Sequence, residues 1–276
     1  TSFKIHLDSI YFLQEVRLNV AREQDNKSFL KLKIKIREKI VADGLDDQSF
    51  DVTNVGVHLN AEGFNQIIED SETILVDMRN HYESEIGHFK NAITPDVDTF
   101  RESLPLIEGN LSSHKEDKNI VMYCTGGIRC EKASAYFKHK GFKNVFQLEG
   151  GIIDYARQIE EQGLDNKFKG KNFVFDERRG ERISPEVISS CHQCTAACDN
   201  HSNCANVACN LLFLQCDICK KNTDNCCSDT CKEVIHLSFE DQKIRRKGKP
   251  NSNKIFKKGR SAHLSFRPQG EVEQKK

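Results

Sequence analysis

The middle of the chain alternates short apolar runs with segments of helical periodicity, and this alternation constrains the fold more than any other feature. Three runs, TILVDM, NIVMYC and NVFQL, have the length and composition of buried strands. Helical patterns accompany them; EKASAYFKHKG and GIIDYARQIEEQG are the clearest, and they end at Gly141 and Gly163. Because parallel strands are joined through helices, residues 55–165 are predicted to form an α/β domain with a parallel sheet and flanking helices.

The regions on either side of this domain differ from it in composition. Residues 30–37 alternate apolar and basic side chains, which predicts a half-buried strand and, with EVRLNVA before it, a β-hairpin. The basic face of that strand, formed by Lys31, Lys33 and Lys35, either faces solvent or contacts RNA phosphate. Residues 171–235 are predicted to form a cysteine-rich segment, and residues 236–276 a basic, disordered tail.

The net charge of the chain does not indicate a class of binding partner, because Lys plus Arg and Asp plus Glu both number 41. No apolar run approaches the roughly 18 residues that would span a membrane. The first residues lack the basic and apolar regions of a secretory signal. We therefore expect a cytoplasmic protein whose twelve cysteines act as metal ligands or catalytic thiols in a reducing environment.

Cys124 directly follows the apolar run IVMY, and residues 125–129 predict a site around its sulfur. Reactive groups gather at the carboxyl ends of parallel strands. The loop Thr125, Gly126, Gly127 and Ile128 can turn several N–H groups toward one point, and the following helix adds its positive end. Arg129 adds a cation, so an activated thiolate is predicted. Two alternatives for Cys124 are a buried structural cysteine and one half of a redox pair with Cys130. If there is no such pair, Cys130 is a small residue in the first turn of the helix.

Three segments resemble the signature segments of the rhodanese domain: VDMRNHYESEIGHFKNAI (76–93), YCTGGIRC (123–130) and QLEGGIIDYA (147–156). Four residues separate Cys124 from Arg129, as in rhodanese loops that handle sulfur, whereas related phosphatase loops have five. The resemblance implies a persulfide on Cys124. It also implies that Asp77, Arg79 and residues 149–151 support the fold and the active loop.

The resemblance extends along nearly the whole chain. KIREKIVADGLDD, DMRNHYESEIGHF, VMYCTGGIRCEKASA, EGGIIDYAR, GKNFVFDERRGERIS and CHQCTAACDNHSNC, in this order, are similar to the bacterial tRNA uridine(34) hydroxylase family. It implies 5-hydroxylation of the wobble uridine in the tRNA anticodon, with molecular oxygen as co-substrate and Cys124 as the essential cysteine. It also implies a longer, acylphosphatase-like N-terminal domain, of which residues 1–50 are expected to be the last part. The alternatives are a sulfurtransferase acting on thiosulfate or a protein persulfide, and a non-catalytic module that binds RNA or protein.

Ten cysteines between residues 191 and 231 predict metal binding. They are Cys191, Cys194, Cys198, Cys204, Cys209, Cys216, Cys219, Cys226, Cys227 and Cys231. Close pairs such as Cys191/Cys194 and Cys216/Cys219 are typical of structural zinc sites, and there are enough partners for two ions. His192 and His201 add two possible nitrogen ligands. An iron–sulfur cluster, free thiols and disulfides are the alternatives.

The hydroxylase interpretation predicts a surface for RNA. The basic stretch from residue 243 to 260 has nine Lys or Arg and no acid, and its candidate RNA-binding residues are Lys243, Arg245, Arg246, Lys247, Lys257 and Lys258. DERRGER contributes Arg178, Arg179 and Arg182. Phe173, Phe175 and Tyr123 are either platforms for an unstacked base or members of the core.

Overall fold

The protein is described by a computed structural model at residues 2–16, 18, 36–39, 41–247 and 264. Its centre is a four-stranded, all-parallel sheet. The strands are β1 (Val57–Leu59), β2 (Thr73–Asp77), β4 (Asn119–Tyr123) and β5 (Asn144–Leu148), in the spatial order β1-β5-β4-β2. The predicted α/β fold and the three predicted strands are confirmed.

Helices cover both faces of this sheet, as its apolar strands require. On one face, α2 (Ala61–Ile67) and α6 (Gly151–Gln162) pack with Leu75 and Val121. On the other face, α4 (Phe100–Leu111) and α5 (Ile128–His139) pack with Val76, Ile120 and Met122. Neighbouring residues of one strand thus enter opposite cores, because side chains alternate along a strand.

A smaller antiparallel sheet joins the parallel sheet to the cysteine-rich segment. It consists of β3 (Gly87–Phe89), β6 (Phe168–Asn172) and β7 (Glu181–Arg182), and the four-residue helix α3 (His81–Ser84) precedes it. The cysteine-rich segment contains β8 (His201–Asn203), β9 (Leu212–Leu214), α7 (Asp217–Asn222) and α8 (Asp229–Ile235). Tyr82, Ile86, Phe173, Leu212 and Leu214 form one buried cluster, so the segment shares a core with the domain.

The two ends of the chain differ from the sequence predictions where they are described. The N-terminal residues form α1 (Ser2–Asp8) and a 3₁₀ turn (Tyr11–Leu13). Most of the predicted hairpin, including Lys31, Lys33 and Lys35, lies outside the described residues, and residues 36–39 are not strand. The prediction of a disordered tail is wrong for α9 (Phe239–Arg246), where Ser238 caps the helix. The helices in the described ranges are too short and too polar to span a bilayer.

Residues 41–50 pack against the α/β domain. Val41, Leu45 and Phe50 contact the core cluster beneath α4 and α5. Lys132 of α5 reaches Asp43 at 3.4 Å and Asp47 at 2.5 Å. This stretch therefore continues the domain predicted to start at residue 55, and it brings Val41 to the edge of the functional cleft.

Candidate active site and metal centres

Cys124 follows β4 directly and lies at a cleft of about 880 Å³. The side chain is buried, with only 1% of the residue exposed. The walls combine the active loop with residues of α3, of α4 and the turn before it, of α6 and of the segment after β6: Tyr82, Asp98, Thr99, Arg101, Glu102, Thr125, Gly126, Ile128, Arg129, Ile153 and Phe175 among them. A volume of this size accommodates a nucleotide-sized group.

The backbone of the active loop surrounds the sulfur as predicted from the glycine pair. Gly127 has φ of +90° and caps the N-terminus of α5, and its N–H donates to Cys124 Sγ at 3.2 Å. The left-handed backbone that this turn needs is readily adopted only by glycine. The amide and the helix dipole together stabilise negative charge on the sulfur.

The first N–H groups of helix α6 hold the active loop in place. Ile152 N–H donates to the Cys124 carbonyl at 3.0 Å, and Ile153 N–H donates to the Thr125 carbonyl at 3.1 Å. Gly151 has φ of +63°, and a Cβ there would lie 2.5 Å from the Cys124 carbonyl oxygen and 2.7 Å from Gly127 N. The close approach of α6 to the loop therefore depends on a glycine at this position.

Arg129 is held by Glu83, a residue that the sequence analysis did not single out. Two hydrogen bonds of 2.7 Å join the guanidinium to the two carboxylate oxygens, and Thr125 Oγ1 lies 3.2 Å from both side chains. Glu83 is completely buried and also accepts from Asn80 N, at the start of α3. The sequence NHYE, with Asn at the N-cap and Glu three residues on, carried the signal of a capping box.

Cys130 contacts the active cysteine and lowers its pKa. Burial by itself raises the pKa of Cys124, but a hydrogen bond from the Cys130 thiol, the charge of Arg129 and the N–H groups of Cys130 and Arg129 outweigh burial. The result is a pKa lowered from 9.0 to about 6. Burial and the neighbouring thiolate raise the pKa of Cys130 well above its usual value, so it stays a thiol donor. A Cys124–Cys130 redox pair stays an alternative to the nucleophile.

Asp77 and Arg79 form a buried ion pair at the end of β2. Arg79 Nη2 donates to Asp77 Oδ2 at 2.6 Å and to the Gly87 carbonyl at 2.6 Å, and both residues are fully buried. Met78 N–H donates to the Tyr123 carbonyl at 2.9 Å, which ties the same turn to the strand before Cys124. The pair thus connects the ends of β2 and β3, and the Met78 amide connects the same turn to β4, so Asp77 and Arg79 occupy a supporting position.

The three aromatic residues proposed as base platforms occupy different environments. Tyr123 and Phe173 are fully buried, so they belong to the core. Phe175 is 49% exposed, lines the cleft, and its ring lies 6.0 Å from the guanidinium carbon of Arg129. Among these three residues, Phe175 is therefore the one placed to meet a ligand beside Cys124.

Eight of the ten clustered cysteines converge into two groups of four. One group is Cys191, Cys194, Cys216 and Cys219; the other is Cys204, Cys209, Cys227 and Cys231. Within each group the sulfur atoms all lie within 4.8 Å of one another, and all twelve cysteines of the chain are free of disulfides. Such groups can hold a metal ion. Cys198 and Cys226 belong to neither group.

Amide groups point at the sulfur atoms of both clusters. Cys216 N–H donates to Cys191 Sγ at 3.4 Å, and Cys219 N–H donates to Cys216 Sγ at 3.5 Å. In the second group, Cys227 N–H donates to Cys204 Sγ at 3.5 Å. These donors stabilise thiolates, the form in which cysteine binds a metal.

Neither histidine of the segment joins these groups in the described part of the chain. His192 Nδ1 accepts from Leu214 N–H at 3.3 Å, and Nε2 lies 2.6 Å from Glu85 Oε1. His192 therefore links the first cysteine group to the end of α3, two residues from Glu83. His201 lies edge-on to Phe173.

The predicted RNA-binding residues are only partly described. Lys243, Arg245 and Arg246 lie in the last turns of α9, and Lys247 follows as its C-cap. Lys257 and Lys258 lie outside the described residues. Arg178 forms ion pairs with Asp176 and Glu181, and Arg182 with Asp199.

Two protein-family models match this chain and identify the class of protein. The model of the Rhodanese-like domain matches residues 60–158, and the model named Rhodanase C-terminal matches residues 169–232. The chain is thus a rhodanese-like protein with a cysteine-rich C-terminal region. A solved rhodanese-related protein from Thermoplasma volcanium aligns at 20% identity with a TM-score of 0.30, over 37% of this chain and 92% of that one.

Whole-chain comparison then gives the family. A tRNA uridine(34) hydroxylase from Yersinia pestis (strain Pestoides F) is 58% identical over 259 residues, which are 94% of this chain and 73% of the relative. The protein of that name from Yersinia enterocolitica serotype O:8 / biotype 1B is 60% identical over 90% of this chain and 71% of its own length. The chain belongs to the tRNA uridine(34) hydroxylase family.

Proposed function

We propose that this protein hydroxylates C5 of the wobble uridine in tRNA and that Cys124 is its catalytic residue. One observation carries the proposal: in a chain 58% identical to a tRNA uridine(34) hydroxylase, a thiol with a pKa near 6 lies at a nucleotide-sized cleft. A thiol with this pKa is mostly thiolate at neutral pH. That observation argues against a module that only binds RNA or protein.

Cys124 carries the sulfur chemistry in this proposal. Its thiolate attacks the outer sulfur of a donor persulfide, so the donor's S–S bond breaks, a Cys124 persulfide forms and the donor leaves as a thiolate. The N–H of Gly127 and the start of α5 stabilise the anion, and the Glu83–Arg129 pair keeps the loop in shape. Molecular oxygen is the proposed source of the new hydroxyl oxygen; its second oxygen atom leaves as water, with two electrons and two protons supplied by an external reductant of the thiol class.

The tRNA anticodon region is the proposed partner, in the cytoplasm. The target base must leave its stack to reach Cys124, and the exposed ring of Phe175 offers a surface on which an unstacked base can pack. Lys243, Arg245, Arg246 and Lys247 supply a basic helix end for phosphate contacts. Their effect on affinity should fall as salt rises.

Zinc is the proposed metal of the two cysteine groups. Four sulfurs around one zinc ion at 2.3 Å lie about 3.8 Å from one another in a tetrahedron. Cys194 and Cys216 Sγ are 3.6 Å apart, Cys209 and Cys227 Sγ 3.7 Å. A disulfide would need about 2.0 Å, and an iron–sulfur cubane, whose cysteines bind four different irons, would need wider spacing. Bound zinc would supply structural support here, holding each group's loops together.

The test is nucleoside mass spectrometry of tRNA from cells that lack the gene, with and without the protein restored. We expect 5-hydroxyuridine to disappear and to return with the gene. Growth under ¹⁸O₂ should shift the restored nucleoside by two mass units if oxygen gas is the donor. Unchanged 5-hydroxyuridine in the deletion, together with rapid thiosulfate turnover by the pure protein, would replace the proposal by a sulfurtransferase, which the four-residue loop also suits.

A further inference from the structure

A second cavity, of about 210 Å³, lies between β6 and the cysteine-rich segment, away from the Cys124 cleft. The residues that line it are almost all polar, and they include Lys171, Arg178, Arg179, Asp199, His201 and Lys220. It is too small for a nucleoside with its sugar but large enough for a phosphate group. No residue of the active loop and no cysteine of either metal group lines it.

The cations of this cavity differ in what they contact. Arg178 is held by Asp176 and Glu181, and Lys171 by Asp199 at 2.8 Å and by Asn200. Arg179 reaches only the His201 carbonyl, at 3.5 Å, and in the described part of the chain it has no carboxylate within ion-pair distance. It also has φ of +57°, in the left-handed region.

Lys220 is the second cation of this cavity without an ion pair among the described residues. It lies in α7 and is exposed. Two carboxylates also line the cavity: Asp199, whose charge is compensated by Lys171 and Arg182, and Asp217, which is exposed at the start of α7. Arg179 and Lys220 are thus the two cations of the lining without an ion pair among the described residues, and Asp217 is its one carboxylate without such a pair.

His201 lines the same cavity, close to two of its cations. Its Nδ1 is buried and has no hydrogen-bond partner. Burial first, and then the charges of Arg179 and Lys171, lower the pKa of His201 to about 3. The imidazole is therefore neutral, and the nearby charges of Arg179 and Lys171 favour an anion over a further cation in this cavity.

One short segment connects this cavity to the active cleft. Phe175 lines the cleft, and three residues later Arg178, Arg179 and Gly180 line the second cavity. An RNA strand lying across this segment would place a base near Phe175 and a phosphate near Arg179. Phosphate contacts of this kind fix the register of a nucleic acid without reading its sequence.

We propose that this cavity binds a backbone phosphate of tRNA close to the nucleotide that enters the Cys124 cleft, through Arg179 and Lys220. The inference rests on the proposed function, since it takes tRNA as the ligand. The contact positions the wobble nucleotide and has no part in the chemistry at Cys124.

The test measures binding of a synthetic anticodon stem–loop to the full chain by fluorescence anisotropy. One set of RNAs carries a single neutral methylphosphonate at successive positions around the wobble uridine. The variants are Arg179→Asn, because Asn tolerates the left-handed backbone, and Lys220→Ala. Lys221→Ala, the next residue of the same helix, and Arg157→Ala, an exposed arginine of α6, are the charge-matched controls.

We expect each of the two variants to bind about tenfold more weakly and to lower the slope of log affinity against log salt by about 0.7, the value for one phosphate contact to single-stranded RNA. At one methylphosphonate position, the wild-type protein should bind the modified RNA more weakly than the unmodified RNA. Arg179→Asn should bind these two RNAs equally well. If wild type binds the stem–loop and both variants bind equally well, or if the controls lose as much, the phosphate site is wrong while the proposed function stands. If wild type fails to bind full-length tRNA at any salt, both are wrong.

Discussion

Glu83 and Arg129 face each other through two parallel hydrogen bonds of 2.7 Å at the edge of the active loop. The carboxylate is completely buried and the guanidinium side chain is 13% exposed. The arginine predicted to sit beside the thiolate is therefore fixed by a carboxylate from a different element, α3. Its charge still lowers the pKa of Cys124, but its main visible role is to hold the loop.

Replacing Glu83 by Gln should destabilise the protein by about 3 kcal/mol, because it leaves Arg129 without its buried partner. Thermal and urea unfolding measure this change. Glu72→Gln is the control, because it breaks an exposed ion pair of 2.8 Å between Glu72 and Lys118. It should lower the free energy of unfolding by about 1 kcal/mol or less. Equal losses from the two variants would contradict the role given to Glu83.

Gly151→Ala should disturb the active loop, because its Cβ would lie 2.5 Å from the Cys124 carbonyl oxygen. Gly163→Ala is the control: its φ is also +63°, but nothing lies within 4 Å of the added Cβ. Both variants should lose about 1 kcal/mol from the left-handed backbone. Only Gly151→Ala should also slow alkylation of Cys124, measured by mass spectrometry of its peptide. Equal alkylation rates in the two variants would show that α6 does not fix the loop.

The alkylation rate of Cys124 should fall as pH drops through about 6, since only the thiolate reacts and the pKa is lowered to about 6. Cys130→Ala removes the thiol that donates to this sulfur, so the midpoint should move upward, toward the ordinary value near 9. Cys198→Ala, outside the loop and outside both metal groups, should leave the midpoint unchanged. A wild-type midpoint above 8, or no shift in Cys130→Ala, would contradict the assignment.

The purified chain should contain two zinc ions, measured by plasma mass spectrometry. Cys216→Ser and Cys227→Ser should each lose about one ion, because each removes a ligand from a different group. Cys198→Ser should retain both ions. Chelation should open residues 191–231 to protease, since such segments fold with their metal. One ion or fewer in wild type would rule out the two-site arrangement.

The regular part of the fold was predictable because its signals are local. Apolar runs of strand length gave β2, β4 and β5, and helical periodicity with terminal glycines gave α5 and α6. The basic tail was predicted from composition, which says nothing about a local cap; Ser238, followed by Glu240 and Asp241, starts a helix there. A cap search along that tail would have found it.

The site was predictable where one segment builds it and not where several meet. Cys124, the glycines and Arg129 are adjacent in sequence, so their role could be proposed from spacing. Glu83 is 46 residues from Arg129, and its burial depends on how α3 packs. The pairing of Cys191/Cys194 with Cys216/Cys219 likewise depends on how the fold places β9 and α7 beside the loop that carries Cys191 and Cys194. Such contacts follow from topology, which spacing alone does not specify.

The most direct test of the account compares Cys124→Ser with Cys130→Ser in cells that lack the gene, with 5-hydroxyuridine in tRNA measured by mass spectrometry. Serine at position 124 cannot form a thiolate or a persulfide, so we expect no 5-hydroxyuridine although the protein accumulates. Serine at position 130 keeps a hydrogen-bond donor beside Cys124 and should restore a substantial part of the modification. Full restoration by Cys124→Ser would contradict the central claim that this cysteine carries the reaction.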